Sequence, residues 1–475
     1  MTARWFAGMA AAVLITPVWV SGQAPARPAV GPERAFTPPP RVERTLSNGL
    51  RVVAVRYATV PKVSAILTIE SGLAVDPAEK AGLAQFVVDA IREGTTSRDS
   101  RQIRQEIFAM GASLTAAAGQ DTSSFTMRGL ADTLPAMLAI LADVVRNPTF
   151  PQAEIDLLKA NTTQSLQAQL ASPQIVANRV YRQTLFGSHP YARVGTTLDT
   201  VGNIDRASIV EYHKTHYLPN NAFLIVTGDV VPDAVLAAAE KAFGAWARGT
   251  VPPSPSVPTP ALQGRKIVFV QRPNSVQSSI SVGNFSLRRN DPRWPVLNVA
   301  NQIYGGAFDS RLIRNIREEK GYTYSPQSVF QAMEQAGLYR AVADVRNDVT
   351  GATIKEIYSE IDKFRAEGPG AQELESAKTY ARGLFVIQNA TQAGFSNTLN
   401  TVYSFGLPKD YPETYQKQVA SLSTEAVKTA ASMLLGSEDS VIVIVGDYTK
   451  VKDQLGGFKN ISFVDLRGNA ITPPQ

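Results

Sequence analysis

The sequence contains no cysteine. Disulfides, thiolate metal sites, iron–sulfur clusters and cysteine nucleophiles are therefore excluded at once. Histidine is almost as scarce: His189, His213 and His216 are the only three, so any imidazole chemistry must use them. Charged residues make up only 19% of the chain. The 47 Lys and Arg against 41 Asp and Glu leave a net charge of +6. That excess is spread along the chain, with no basic run to form a nucleic-acid stripe. There is no Gly-Lys-Ser/Thr phosphate loop, no Gly-x-Gly-x-x-Gly turn after a strand and no Gly-x-Ser-x-Gly elbow, which removes the commonest nucleotide and acyl-transfer signatures.

What is present is length and apolar content. With 475 residues, 44% of them hydrophobic, the chain is expected to form two or more domains at about 100–200 residues each. Arg4 precedes an apolar run over residues 5–20, broken only by Gly8, Thr16 and Pro17, and small residues follow it. A charged start, a short apolar stretch and a small-residue exit describe a cleaved secretory signal over residues 1–22. The run is shorter than the ~20 residues of a membrane span. We therefore expect a periplasmic or secreted protein with no permanent membrane insertion. Residues 23–40 read as a Pro/Ala-rich leader.

A second break is sharper. Residues 250–261 carry five prolines in twelve positions, and proline, lacking an amide donor and fixing φ, keeps this stretch out of helices and central strands. We assign a linker to 250–264, one domain to 41–249 and another to 265–468. The two look like repeats. Each opens on a pair of β-branched stretches, 50–55 with 63–69 and 266–270 with 277–282, and each closes on a strand running into Gly-Asp, at Gly228-Asp229 and Gly446-Asp447. Between them lie helical patterns, among them 134–145, 151–170 and 371–388, with apolar residues three and four apart. The fold class expected is α+β: two homologous domains, each a mixed, mainly antiparallel sheet with helices packed on it.

The histidines carry little chemistry. His213 and His216, with Glu211 nearby, have the i, i+3 spacing of metal ligands, but they sit at the corner entering the last strand of the first half. Packing and hydrogen bonding are the expected roles there. His189, in Gly187-Ser-His-Pro190, belongs to a turn.

Other stretches are more informative: Leu46-Ser-Asn-Gly-Leu50, the segment from Gly82-Leu-Ala-Gln85 through Val88-Asp89 to Thr95, Asn147-Pro-Thr-Phe-Pro151, Tyr217-Leu-Pro-Asn-Asn221, and both Gly-Asp strand ends. With these the chain resembles the insulinase/pitrilysin-type zinc peptidases, in the short two-domain branch that includes mitochondrial processing peptidase. The resemblance spans roughly residues 41–466. In active members the helix beginning at Gly-Leu-Ala carries His-x-x-Glu-His. Two histidines one turn apart bind zinc and the Glu activates water, while a Glu far downstream completes the ligand set. Here the matching positions are Gln85, Val88 and Asp89, and the downstream one is Ser165. An amide, an alkyl group and a hydroxyl do not make a zinc site around one carboxylate, so no cofactor is expected in this chain.

The resemblance also points to Arg317 and Tyr324. In the family, an Arg in the helix following Tyr304-Gly-Gly and a Tyr beyond it hydrogen-bond the substrate near the scissile carbonyl, and a guanidinium fork and a phenol suit that task. From the residues alone, Leu312, Ile313 and Ile316 line one face of a short helix ended by Gly321, Tyr322 begins a strand, and Arg317 acts as a helix-end cation. The family's sites form between facing two-domain units, and this chain has one unit. The resemblance thus implies a non-catalytic subunit, inactive alone. Its partner would be a homologous chain carrying His-x-x-Glu-His and zinc, its substrates unfolded peptides. The alternative is a catalytically dead scaffold or peptide-binding protein of the same fold.

Overall fold

The computed structural model describes residues 36–434, 436 and 438–474. The expected signal segment and most of the leader lie outside the described residues. In the first half the strands are β1 (Arg41–Thr45), β2 (Arg51–Arg56), β3 (Lys62–Ile69), β4 (Ser113–Ala118), β5 (Ser123–Leu130) and β6 (Ala222–Gly228). The helices are α1 (Leu83–Ala90), α2 (Ser100–Ala109), α3 (Leu134–Arg146), α4 (Gln152–Gln169), α5 (Pro173–Phe186), α6 (Arg206–His216) and α7 (Pro232–Phe243). The sheet order is β1-β2-β6-β3-β5-β4. Only the β2–β6 pair is parallel; the remaining pairs are antiparallel.

The second half repeats the plan. Its strands are β7 (Arg265–Gln271), β8 (Gln277–Ser286), β9 (Gln327–Ala332), β10 (Gly337–Arg346), β11 (Ser440–Gly446) and β12 (Ile461–Val464). Its helices are α8 (Trp294–Asn301), α9 (Thr350–Glu367), α10 (Ala371–Asn389), α11 (Gln392–Ser404), α12 (Tyr411–Ala420), α13 (Thr424–Ala431) and α14 (Tyr448–Val451). In the order β12-β7-β11-β8-β10-β9, five strands match the first sheet one for one. The outermost strand differs. It is β1, antiparallel and from the N-terminal side, in one sheet, and β12, parallel and from the C-terminal side, in the other. The α+β class and the paired mixed sheets agree with the sequence reading. One local expectation is corrected: Tyr322 does not begin a strand. The bends around it lead to β9, which starts at Gln327, because Gly321 at φ +64° and Pro326 hold the intervening backbone out of the ladder.

The innermost strands β6 and β11 are apolar at nearly every position because both faces of each sheet are covered. Every residue of β6 and of β11 is buried, as expected for strands packed front and back. The inner faces pack on their own helices in two large cores. The outer faces are covered by exchange. Helix α5, from the first half, lays Val176, Ala177, Val180, Tyr181 and Phe186 on Val268, Val270, Val441, Val443 and Val445 of the second sheet. Helix α11, from the second half, lays Phe395 and Leu399 on Val53, Val55, Phe223 and Ile225 of the first. Gly283 makes the first contact possible. A Cβ there would lie 1.9 Å from the Tyr339 carbonyl oxygen and 2.4 Å from the Tyr181 hydroxyl, whereas in its absence that hydroxyl donates to the Tyr339 carbonyl at 2.6 Å.

The proline-rich stretch holds no helix or strand. It is tethered where Gln335 donates to the Pro255 carbonyl at 2.6 Å. With the exchanged helices in place, the chain from Phe36 onward forms one compact unit. Phe36 itself docks between Phe385 and Phe395, and its N–H donates to Gln416.

Candidate functional site

Helix α1 is built from its cap inward. Gly82 takes φ +94° at the N-cap. The buried Asp76 carboxylate accepts from the N–H groups of Gly82 and Ala84 at 2.8 and 3.0 Å, fixing the otherwise unpaired start of the helix. Burial pushes this carboxyl up to about 7, against the pull of the two N–H groups. Leu83, Ala84, Phe86, Val87, Val88 and Ala90 are all buried, so Gln85 and Asp89 form the one polar face.

Those two residues satisfy each other. Gln85 Nε2 donates to Asp89 Oδ2 at 2.9 Å, and Gln85 Oε1 accepts the Ala118 N–H of β4 at 3.1 Å. That N–H would otherwise be an open donor on an edge strand. Burial raises the Asp89 carboxyl, while Gln85 and Arg92 oppose the rise. Val88 is fully enclosed in the first core. Ser165, exposed on α4, accepts from Gln169 at 3.3 Å. The family's metal does not fit this set. Among the described residues no group of three or more His, Asp or Glu stands close enough to hold a metal ion.

The three histidines are taken up in structural contacts, His189 buried and His213 and His216 half-buried. His213 lies against Phe150 and Tyr217 with Nε2 at 2.8 Å from the Val145 carbonyl. His216 stacks on Tyr212 with Nδ1 at 3.2 Å from Ser71 Oγ. His189 accepts the Tyr191 N–H at 3.0 Å. Burial lowers the pKa of all three, so each resists protonation in the folded state. Between the depressed folded value and the unfolded value near 6.5 the unfolded chain binds more protons, and stability falls on acidification through that window. A His213→Gln variant escapes this penalty. Its stability deficit relative to wild type should shrink between pH 7 and pH 5, as read from urea midpoints; a constant deficit would show that His213 does not titrate differently on folding.

Arg317 and Tyr324 are brought together on the second half. Arg317 lies in a π-helical stretch, Ile313–Glu319, a geometry that occurs mostly in single turns and often near functional groups. The stretch is anchored from beneath: Asn315 donates to Glu356 and Glu360 at 2.9 and 2.6 Å, and Arg311 forms an ion pair with Glu373 at 2.7 Å. Beyond it, Thr323 donates to the Asp344 carbonyl. The Arg317 guanidinium carbon sits 4.2 Å from the Tyr324 ring centroid and 4.8 Å from that of Phe308. Tyr324 is 74% exposed and Phe308 70%. Neither the Arg317 guanidinium nor the Tyr324 hydroxyl has a hydrogen-bond partner among the described residues, so both keep free donors at the surface while ring contacts hold the guanidinium. Phe308 was not singled out from the sequence; an exposed phenylalanine carries no local signature of its contact partner.

The paired six-stranded mixed sheets with their helices form a two-domain α+β unit, in which α1 presents Gln85 and Asp89 and the second half presents Arg317 beside Tyr324. Family models match in tandem: insulinase (peptidase family M16) over residues 51–194, and the peptidase M16 inactive domain over residues 203–380. The chain belongs to the insulinase-type M16 peptidase family and lacks the family's zinc motif. An uncharacterized zinc protease of Mycobacterium leprae (strain TN) is 25% identical over 415 residues, covering 86% of this chain and 92% of that protein. One from Bacillus subtilis (strain 168) is 22% identical over 405 residues, covering 84% and 97%. Among solved structures, a peptidase M16 inactive domain from Pseudomonas fluorescens superposes with a TM-score of 0.80 at 26% identity, covering 86% of this chain and 98% of that one. A protease from Helicobacter pylori superposes with a TM-score of 0.81 at 17% identity, covering 86% and 99%.

Proposed function

We propose that this chain is the non-catalytic subunit of a heterodimeric zinc endopeptidase, lending Arg317 and Tyr324 to the active site of a homologous partner that carries His-x-x-Glu-His. The observation that supports this is the contrast between two places. At Gln85 and Asp89 the polar groups are consumed by each other and by β4. At Arg317 and Tyr324 the donors are held in position and left unpaired. A guanidinium and a phenol so placed suit a carbonyl oxygen that gains negative charge. Residues 1–22 direct the chain to the periplasm or the exterior in this reading. The relatives named zinc proteases support the reaction class.

The test is peptide hydrolysis by the pair reconstituted from this chain and the partner recovered with it. Loss of one such donor typically lowers the rate on the order of 10²–10³-fold, and Tyr324→Phe removes only the hydroxyl. We expect a loss of that size with heterodimer formation unchanged. A Tyr324→Phe pair that assembles and cleaves at the wild-type rate would leave the scaffold role as the better account. The chain alone should hold far less than one zinc per molecule by elemental analysis; about one tightly bound zinc would overturn the assignment of a lost metal site.

A further inference from the structure

A cavity of about 260 Å³ opens where the loop before α1, helices α4 and α5, and the C-terminal turn meet. Three arginines line it: Arg179, Arg193 and Arg467. None of them forms an ion pair among the described residues. Arg179 donates to the Leu466 carbonyl, and Arg193 to the Ala74 carbonyl at 3.4 Å. The Nε atoms of both are buried without a hydrogen-bond partner. Leaving buried guanidinium donors unmatched is costly, and burial lowers the pKa of both side chains.

The nearby carboxylates face the arginines without forming an ion pair: Asp465 and Asp199 act on Arg179, and Asp76 and Glu79 on Arg193. Asp465 is taken up by the N–H groups of Arg467 and Asn469 in its own turn, and Asp76 by the cap of α1. Of these carboxylates, Asp199 alone lines the cavity. Leu166, Leu170 and Leu198 form an aliphatic part of the wall, beside the polar Gln183, Thr197 and Thr200. The volume lies just below the ~300–1,000 Å³ of ordinary small-molecule sites.

We propose that this cavity binds a small aliphatic carboxylate, such as the last residue of a peptide or a free acyl amino acid, with the carboxylate on the arginines and the alkyl group on the leucines. The arginine fork is the side chain best matched to that group. The site is independent of Arg317 and Tyr324, and its fate does not depend on the reading given to them.

Calorimetric titration of the purified chain tests it, using N-acetyl-leucine, its neutral amide, and sodium sulfate at equal ionic strength. N-acetyl-leucine should bind, and the amide about tenfold more weakly or worse, the discrimination expected when charged donors lose their acceptor. Arg467→Glu, at an exposed position, should weaken binding by a similar factor while leaving the melting temperature unchanged. Arg193→Gln provides the second variant, read by the same titration after its fold is checked by circular dichroism. An acetylated tripeptide ending in leucine that binds as well as N-acetyl-leucine assigns the site to peptide termini; a tripeptide that fails while N-acetyl-leucine binds assigns it to free acids. Equal response to acid and amide, sulfate competing as well as the acid, or unchanged affinity in both variants would overturn the proposal.

Discussion

Phe395→Ala should destabilise the whole protein by about 3–5 kcal/mol, the usual cost of emptying a buried phenylalanine site, although the residue is far in sequence from the sheet it covers. Phe395 is fully buried against Val53, Val55, Phe223 and Ile225, and ring contacts with Phe36 and Tyr57 extend the patch. Tyr181→Ala should act in the same way on the second sheet, with loss of the hydrogen bond to the Tyr339 carbonyl added to the cavity. The measurement is urea unfolding followed by far-ultraviolet circular dichroism and by tryptophan fluorescence. Both variants should lower the midpoint with the two probes coincident, because each helix belongs to both halves at once. A second transition in either variant, or a midpoint within error of wild type, would mean the halves are energetically separate. By the same reasoning, residues 41–249 or 265–468 expressed alone should fail to fold, each missing the helix that covers its outer sheet face.

Gly82→Ala should also be damaging, by about 2–5 kcal/mol, and for a different reason. The φ of +94° costs an L-residue roughly 1–2 kcal/mol. A Cβ would then lie 1.9 Å from Thr196 Oγ1 and 2.5 Å from the Thr196 N, and the backbone is not free to yield. Overpacking of that kind adds about 1–3 kcal/mol. Gly111 supplies the control: its φ is +60° and a Cβ there meets nothing within 4 Å. Gly111→Ala should therefore show the dihedral cost alone. If the two variants lose equal stability, the contact between Thr196 and the start of α1 is not rigid, and α1 has room to shift.

Much of this architecture was legible in the sequence because the central strands are buried on both faces. Stretches such as Val441 to Val445 can only be strands once length and β-branching are considered, and the Gly-Asp ends mark the repeat. The exchange of α5 and α11 was not legible. Apolar residues three and four apart announce that a helix has a face, but not which sheet receives it. The same limit hid the asymmetry of the outermost strands, since β1 and β12 are short and partly exposed. At the site, the absence of any His-x-x-Glu-His is plain from residue types, and the i, i+4 spacing of Gln85 and Asp89 accounts for their mutual bond. The Phe308 contact with Arg317 depends on how a π-helical turn orients two side chains, and no local pattern encodes that. Tyr322 lies in a β-favouring stretch, but Gly321 and Pro326 on either side keep it out of the ladder.

The crossing of α5 and α11 also sets an order of events during synthesis. The last strand of the first sheet, β6, is complete at Gly228, but the helix that seals its outer face ends only at Ser404. Until that residue has left the ribosome, Val53, Val55, Phe223 and Ile225 have no cover. The nascent first half therefore presents a sticky apolar face for most of the time the second half is being made, and closure must await a contact of long sequence separation. Such a chain commits late, stays open to holding factors, and is vulnerable to pairing with a neighbouring copy at the same stage.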